Sequence, residues 1–231
     1  MTLLVTAFEP FGPWAHNHTV DIVAGMAERL DGGVSLTLPV DLEAAPRMLR
    51  NQIAVTRPSA VLCFGLHGRT TSIRVERAAL NVADFRIADN AGRTVRSGPI
   101  VSGAPDGLLT SVDVRSVVEA LRAEGVAADV SNSAGTYLCN AIYYVALHAL
   151  REQSVPCLFL HVPPVPGAAA AAAERHRAMR AAGRLPQATA SHLTGENGGV
   201  QADAAMALDL QVKAAVIAAR LLDPSGHGES A

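Results

Sequence analysis

Short continuous apolar runs alternate along the chain with segments whose apolar positions recur at helical spacing. Leu3-Leu4-Val5-Thr6-Ala7-Phe8 is the first run and predicts a buried strand, closed by Pro10 and Gly12. Asn17 or Thr19 is placed to cap a helix reaching about Leu30, where Asp31-Gly32-Gly33 stops it. Val34 to Leu38 alternates as a second strand, and Asp41 to Thr56 reads as a helix with Leu42, Ala45, Leu49 and Ile53 on one face. Ala60-Val61-Leu62-Cys63-Phe64-Gly65 is apolar throughout, as a central parallel strand should be. From Thr70 to Val95 the alternation is imperfect, with a turn at Asp89-Asn90-Ala91-Gly92, and predicts an antiparallel excursion beside the sheet.

Asp113 then caps a helix carrying Val114, Val117, Val118 and Leu121 at helical spacing. A strand over Val126–Val130 leads through a loop of small polar residues to an apolar helix after Cys139. Pro156 to Pro164 is a further buried strand, with His161 near its end. Ala168–Ala182 predicts an alanine-rich helix, Gly183–Val200 a mobile loop, and Met206, Leu210, Ala214, Ile217 and Leu221 the buried face of a last helix. Strands alternating with helices imply one α/β domain over residues 1–231: a three-layer αβα open twisted sheet, mostly parallel, with the antiparallel excursion. Within it 168–205 is expected to be an extended lid or insertion, and 223–231 a flexible tail.

Composition narrows the functional classes. At 231 residues and 49% hydrophobic, the chain can bury one substantial core. A net charge of −2 shows no basic excess, so no nucleic-acid partner is expected. No uncharged apolar stretch reaches membrane-spanning length without proline, and the start lacks the basic region of a signal peptide. Three scattered cysteines form neither a disulfide framework nor a zinc spacing. A reduced, cytoplasmic protein without metal or cofactor is the expectation.

Chemistry concentrates at Cys139. A thiol reacts as thiolate, and the start of a helix favours negative charge. Free cysteines are more often structural, which suits Cys63 and Cys157 within apolar strands. Cys139 instead follows Ser131-Asn132-Ser133-Ala134-Gly135-Thr136-Tyr137-Leu138. His161 at a strand end is placed to serve as its base, in a strand expected to run parallel to the one feeding the cysteine loop; a core histidine bonded to backbone is the other reading. Glu76, between Arg74 and Arg77, is by itself best read as an edge-strand charge, and as a functional group it would orient His161. Arg86 is equally open between ion pairing and catalysis. His16 and His18 lack a third ligand, and His67 lies in a plausible site loop. His148, His176, His192 and His227 are expected at solvated surface.

Four segments, in order, resemble the pyroglutamyl peptidase I (pyrrolidone-carboxylate peptidase) family of cysteine peptidases. Val5-Thr6-Ala7-Phe8-Glu9-Pro10-Phe11-Gly12 with Asn17 is similar to TGF-[DE]-PFGG…N, and Glu76 to Asn90 to ERVAIN…DARIPDN. Val130 to Asn140 is similar to VSNTAGTYVCN, and Phe159-Leu160-His161-Val162-Pro163 to FIHIP. Met206-Ala207-Leu208-Asp209 resembles the SMSLE start of the family's last helix. The resemblance implies a Cys139–His161–Glu76 triad and an oxyanion site from the Cys139 backbone N–H with Arg86. It also implies a lactam-ring pocket of Phe8, Phe11, Ile87, Tyr137 and Leu138 with Asn17 among its polar neighbours. Peptides with an N-terminal pyroglutamate would be the substrates and a homo-oligomer, such as a tetramer, the assembly. The chain departs from the pattern at Gly65-Leu66-His67-Gly68-Arg69, where the family has GQAGGR, at Pro13 for a glycine, and at Val75 for a proline. A cysteine amidase for another small acyl group, a phosphorylase-like α/β enzyme and a catalytically silent binding protein remain as alternatives.

Overall fold

The structure, a computed structural model, describes residues 2–85, 87–182 and 205–223. Among the described residues the elements are, in chain order, β1 (Leu3–Phe8), α1 (Thr19–Ala27), β2 (Gly33–Leu38), α2 (Ala44–Thr56), β3 (Ala60–Leu66), β4 (Ile73–Glu76), β5 (Ala78–Leu80), β6 (Gly107–Leu109), α3 (Val114–Ala123), β7 (Ala128–Ser131), α4 (Leu138–Leu150), β8 (Cys157–Val162), α5 (Ala168–Ala181) and α6 (Leu208–Leu221). Six strands form one sheet in the order β2-β1-β3-β8-β4-β7, while β5 and β6 pair separately. β2, β1, β3 and β8 run parallel; β4 and β7 are parallel to each other, with β4 antiparallel to β8.

The continuous apolar runs occupy the sheet's interior, and every residue of β1, β3 and β8 is buried. One sheet face packs α1, α3 and α6 through residues such as Ile22, Val117 and Ala215. The opposite face packs α2 and α4 through Leu49, Ile142 and Tyr143. This is the α/β three-layer arrangement that the pattern predicts. Asp113 does cap α3: its carboxylate accepts the Arg115 N–H at 3.0 Å and the Ser116 hydroxyl at 2.7 Å.

Five expectations need correction. The excursion is not wholly beside the sheet, because β4 is inserted between β8 and β7 and only β5 and β6 lie apart. For the same reason β7 is not parallel to β8, and the loop after Ser131 must carry the chain back to the carboxyl ends of β3 and β8. In α6, Leu210 is exposed and the buried face runs instead through Gln211, Val212, Ala215 and Ala219. Gln211 draws that face inward by donating to the Met206 carbonyl at 2.7 Å and meeting His18 Nε2 at 3.1 Å. His176 is buried, because it shares the face of α5 on which Ala169 and Ala172 pack against Trp14 and Leu66. His148 is half-buried, its ring stacked on Tyr144. The loop at Gly183–Val200, the second half of the 168–205 segment, His192, His227 and nearly all of the 223–231 tail lie outside the described residues.

Candidate active site

The site gathers where β3 and β8 end and α4 begins. The loop from Ser131 turns at Gly135, whose φ of 79° is a left-handed value that favours glycine. Two hydrogen bonds then pin it to the 83–85 segment: Asp84 N–H to the Thr136 carbonyl at 3.1 Å, and the Thr136 hydroxyl to the Asp84 carbonyl at 3.0 Å. Tyr137 stands at the helix N-cap, so Cys139 falls in the first turn of α4, where backbone N–H groups lack intrahelical partners. Asn140, fully buried, accepts the Leu80 N–H at 2.8 Å and donates to the Leu80 and Val82 carbonyls. The start of α4 is thereby tied to β5.

Cys139 leans over β3 at Gly65. A Cβ on residue 65 would lie 2.8 Å from the Cys139 sulfur and 2.8 Å from Phe159 Cζ, so the nucleophile's position requires glycine beneath it. In the sheet register Gly65 pairs with His161 on β8, which brings the histidine to the same spot. His161 Nδ1 bonds Glu76 Oε1 at 2.8 Å, leaving Nε2 for the cysteine. Glu76 sits on β4 inside the sheet and is fully buried, not at an edge. Its Oε2 has no hydrogen-bond partner among the described residues, and Arg74 Nε lies 3.8 Å from Oε1.

Burial alone would lower the His161 pKa. The negative charge and hydrogen bond of Cys139 together with those of Glu76 outweigh it and raise it to about 9. Near neutrality His161 is therefore an imidazolium beside the Cys139 sulfur, which lies at a helix N-terminus.

A cleft of about 430 Å³ opens over Cys139 and His161. Phe11, Ile87 and Tyr137 line it, as do Trp14, Leu66, His67 and Asp84. A recess of about 20 Å³ shares Phe11, Leu66, Tyr137 and Cys139 with it and adds Phe8, Asn17, Val40 and Leu138. All six side chains named for the ring pocket thus border Cys139 or its cleft. The Asn17 amide is largely committed to its own loop, donating to the Glu9 carbonyl at 3.1 Å and accepting the Thr19 hydroxyl at 2.9 Å. Arg86, named for the oxyanion site, lies outside the described residues. Sequence reasoning passed over Trp14, Gly65 and Asn140; a polar residue in the middle of an apolar helix start was the available signal for the last. Among the described residues no group of three His, Cys, Asp or Glu side chains is arranged to hold a metal, and no helix is long and apolar enough to cross a membrane.

A thiol at a helix N-terminus, a histidine at a strand end and a buried carboxylate behind it, on an αβα sheet, define a cysteine-dependent hydrolase. Comparison with known proteins narrows the class. The profile of the family described as pyroglutamyl peptidase matches residues 1–182, and the chain belongs to that family of cysteine-type omega peptidases. It is 42% identical over 173 residues to the pyrrolidone-carboxylate peptidase of Deinococcus radiodurans, covering 70% of this chain and 78% of that one. To the Thermococcus kodakarensis enzyme of the same name it is 37% identical over 167 residues, covering 71% and 81%. Pyrrolidone carboxyl peptidase from Thermococcus litoralis superposes with a TM-score of 0.77 at 28% identity, over 95% of this chain and 92% of that one. Bacillus amyloliquefaciens pyroglutamyl peptidase I gives 0.76 at 26% identity, over 94% of each.

Proposed function

We propose that this chain removes N-terminal pyroglutamyl residues from peptides, with Cys139 as nucleophile, His161 as acid and base, and Glu76 as the group that orients His161. The observation that carries the reading is the buried Glu76–His161 hydrogen bond, which turns the ring toward a thiol bordered by a largely apolar recess. The Cys139 thiolate attacks the exocyclic carbonyl carbon of the pyroglutamyl residue. A C–S bond forms, and the carbonyl electron pair moves to oxygen. The Cys139 backbone N–H and Arg86 are the donors for that oxyanion, where one donor is typically worth ~3 kcal/mol. On collapse the C–N bond breaks and His161 gives its Nε2 proton to the departing amine. Water, deprotonated by His161, then hydrolyses the thioester to release pyroglutamate and regenerate the thiolate.

The substrate has no N-terminal ammonium to anchor, so recognition falls to the ring. Phe8, Phe11, Ile87, Tyr137 and Leu138 supply apolar walls, and Asn17 shapes the recess from its loop. The recess by itself holds about one water, so the ring sits across recess and cleft. The same reading places the protein in the cytoplasm, in keeping with free thiols at Cys63, Cys139 and Cys157. It also makes the protein a homo-oligomer, with sedimentation velocity to separate a tetramer from a monomer.

Initial rates on pyroglutamyl, prolyl and glutaminyl arylamides, before and after iodoacetamide, test the activity. The expected result is turnover of the pyroglutamyl compound alone, abolished by alkylation. Equal rates on the three, or activity that survives alkylation, would overturn the assignment.

A further inference from the structure

His67 lines the same cleft as Cys139 and His161 and has no part in the chemistry above. It follows β3 directly, and its backbone is fixed twice: its N–H donates to the Val162 carbonyl at 2.9 Å, and its carbonyl accepts the Thr70 N–H at 3.2 Å. The ring stands edge-on to His161, centroids 5.4 Å apart and planes at 77°. Its Nδ1 is buried with no hydrogen-bond partner among the described residues. Burial, then the positive charges of His161, Arg74 and Arg69, push its pKa down to about 3. So weak a base is no substitute for His161 in proton transfer. What the ring offers is one nitrogen, Nδ1, held at a fixed place in the wall of the cleft and without a partner among the described residues.

That place has a side. His161 passes its proton to the departing amine, so the leaving group lies toward His161, and His67 stands against that ring. With the pyroglutamyl ring across the recess behind Phe11 and Leu138 and the adjoining cleft, the part near His67 is left to the peptide beyond the scissile bond. A buried polar atom without a partner carries a cost that an incoming hydrogen-bonding group removes.

Resting on the pyroglutamyl reading, we propose that His67 is a specificity-determining residue for the leaving peptide. It hydrogen-bonds the main-chain amide on the far side of the first residue beyond the scissile bond. An arylamide substrate has no such group, whereas pyroglutamyl-alanine amide has it. His67→Phe keeps a ring against His161 but loses both nitrogens. In that variant kcat/KM for pyroglutamyl-alanine amide should fall about tenfold, the worth of one hydrogen bond. The rate on the pyroglutamyl arylamide should fall much less, with the alkaline limb of its pH profile in place, which also shows that the variant is folded. His67→Gln should recover part of the loss. An equal loss on both substrates would mean that His67 acts through His161 and would overturn the proposal, as would no loss on either. Wild-type protein inactive on every pyroglutamyl compound would instead overturn the activity itself.

Discussion

Glu76 shows what single residues disclose and what they conceal. Flanked by Arg74 and Arg77, it reads locally as a charge at a sheet edge. Only the insertion of β4 between β8 and β7, a long-range pairing without a local signal, buries it completely. Cys139 and His161 were legible because each ends or begins an apolar element with small or polar residues beside it. Gly65 was not: it closes an apolar strand as many glycines do, and its task appears only when the cysteine sulfur lies above it. Gly65→Ala should therefore displace the nucleophile and lower kcat by roughly 10²-fold, since misplacement of about 1 Å costs that much. Single-turnover kinetics would check this. Glu76→Gln keeps a hydrogen-bond partner for Nδ1 but withdraws a negative charge from the imidazolium. A kcat loss of about 10²- to 10⁴-fold is expected. Because Cys139 and Glu76 together raise the His161 pKa to about 9, the wild-type rate should decline on the alkaline side near pH 9. In Glu76→Gln that limb should move to lower pH, as a pH–rate profile would show.

Among the elements, those with a strong period were readable from the sequence. β3 and β8 are continuous apolar runs, and α3 buries Val114, Val117, Val118 and Leu121 at the predicted spacing. The face of α6 was misread because alanine gives little periodic contrast and because a glutamine, not an apolar residue, is buried there. Strand direction is likewise absent from composition, which is why β7 was expected parallel to β8. Asn140 belongs to this scale, since one amide joins α4 to β5 through three hydrogen bonds. Asn140→Leu would leave the Leu80 N–H and the Leu80 and Val82 carbonyls without that partner where they meet the buried start of α4, at a cost of about 3 kcal/mol. For a chain of this size that corresponds to a fall in Tm of about 6–12 °C, measurable by calorimetry, with activity reduced because Cys139 is the adjacent residue.

The whole molecule couples its site to its stability through buried histidines of opposite behaviour. His161, raised to about 9, contributes stability that is complete at and below pH 6.5 and is lost as pH rises through about 9. His18 and His67 are held below 6.5 chiefly by burial, so unfolding takes up protons and stability falls as pH drops below 6.5. Tm should thus be highest near pH 6.5 and decline on both sides, on the alkaline side until about pH 9. The acid decline should be shallower in a His18→Asn variant, as a series of thermal melts would establish. The αβα architecture was foreseeable from the alternation of strands and helices, whereas the meeting of β3, β4, β8 and α4 at one point was not. The most direct test of the account is hydrolysis of a pyroglutamyl arylamide by wild-type protein and by Cys139→Ser at pH 7. The account predicts measurable turnover by the wild type and a loss of at least about 10⁴-fold in the folded variant. Comparable turnover by both would contradict nucleophilic catalysis by Cys139.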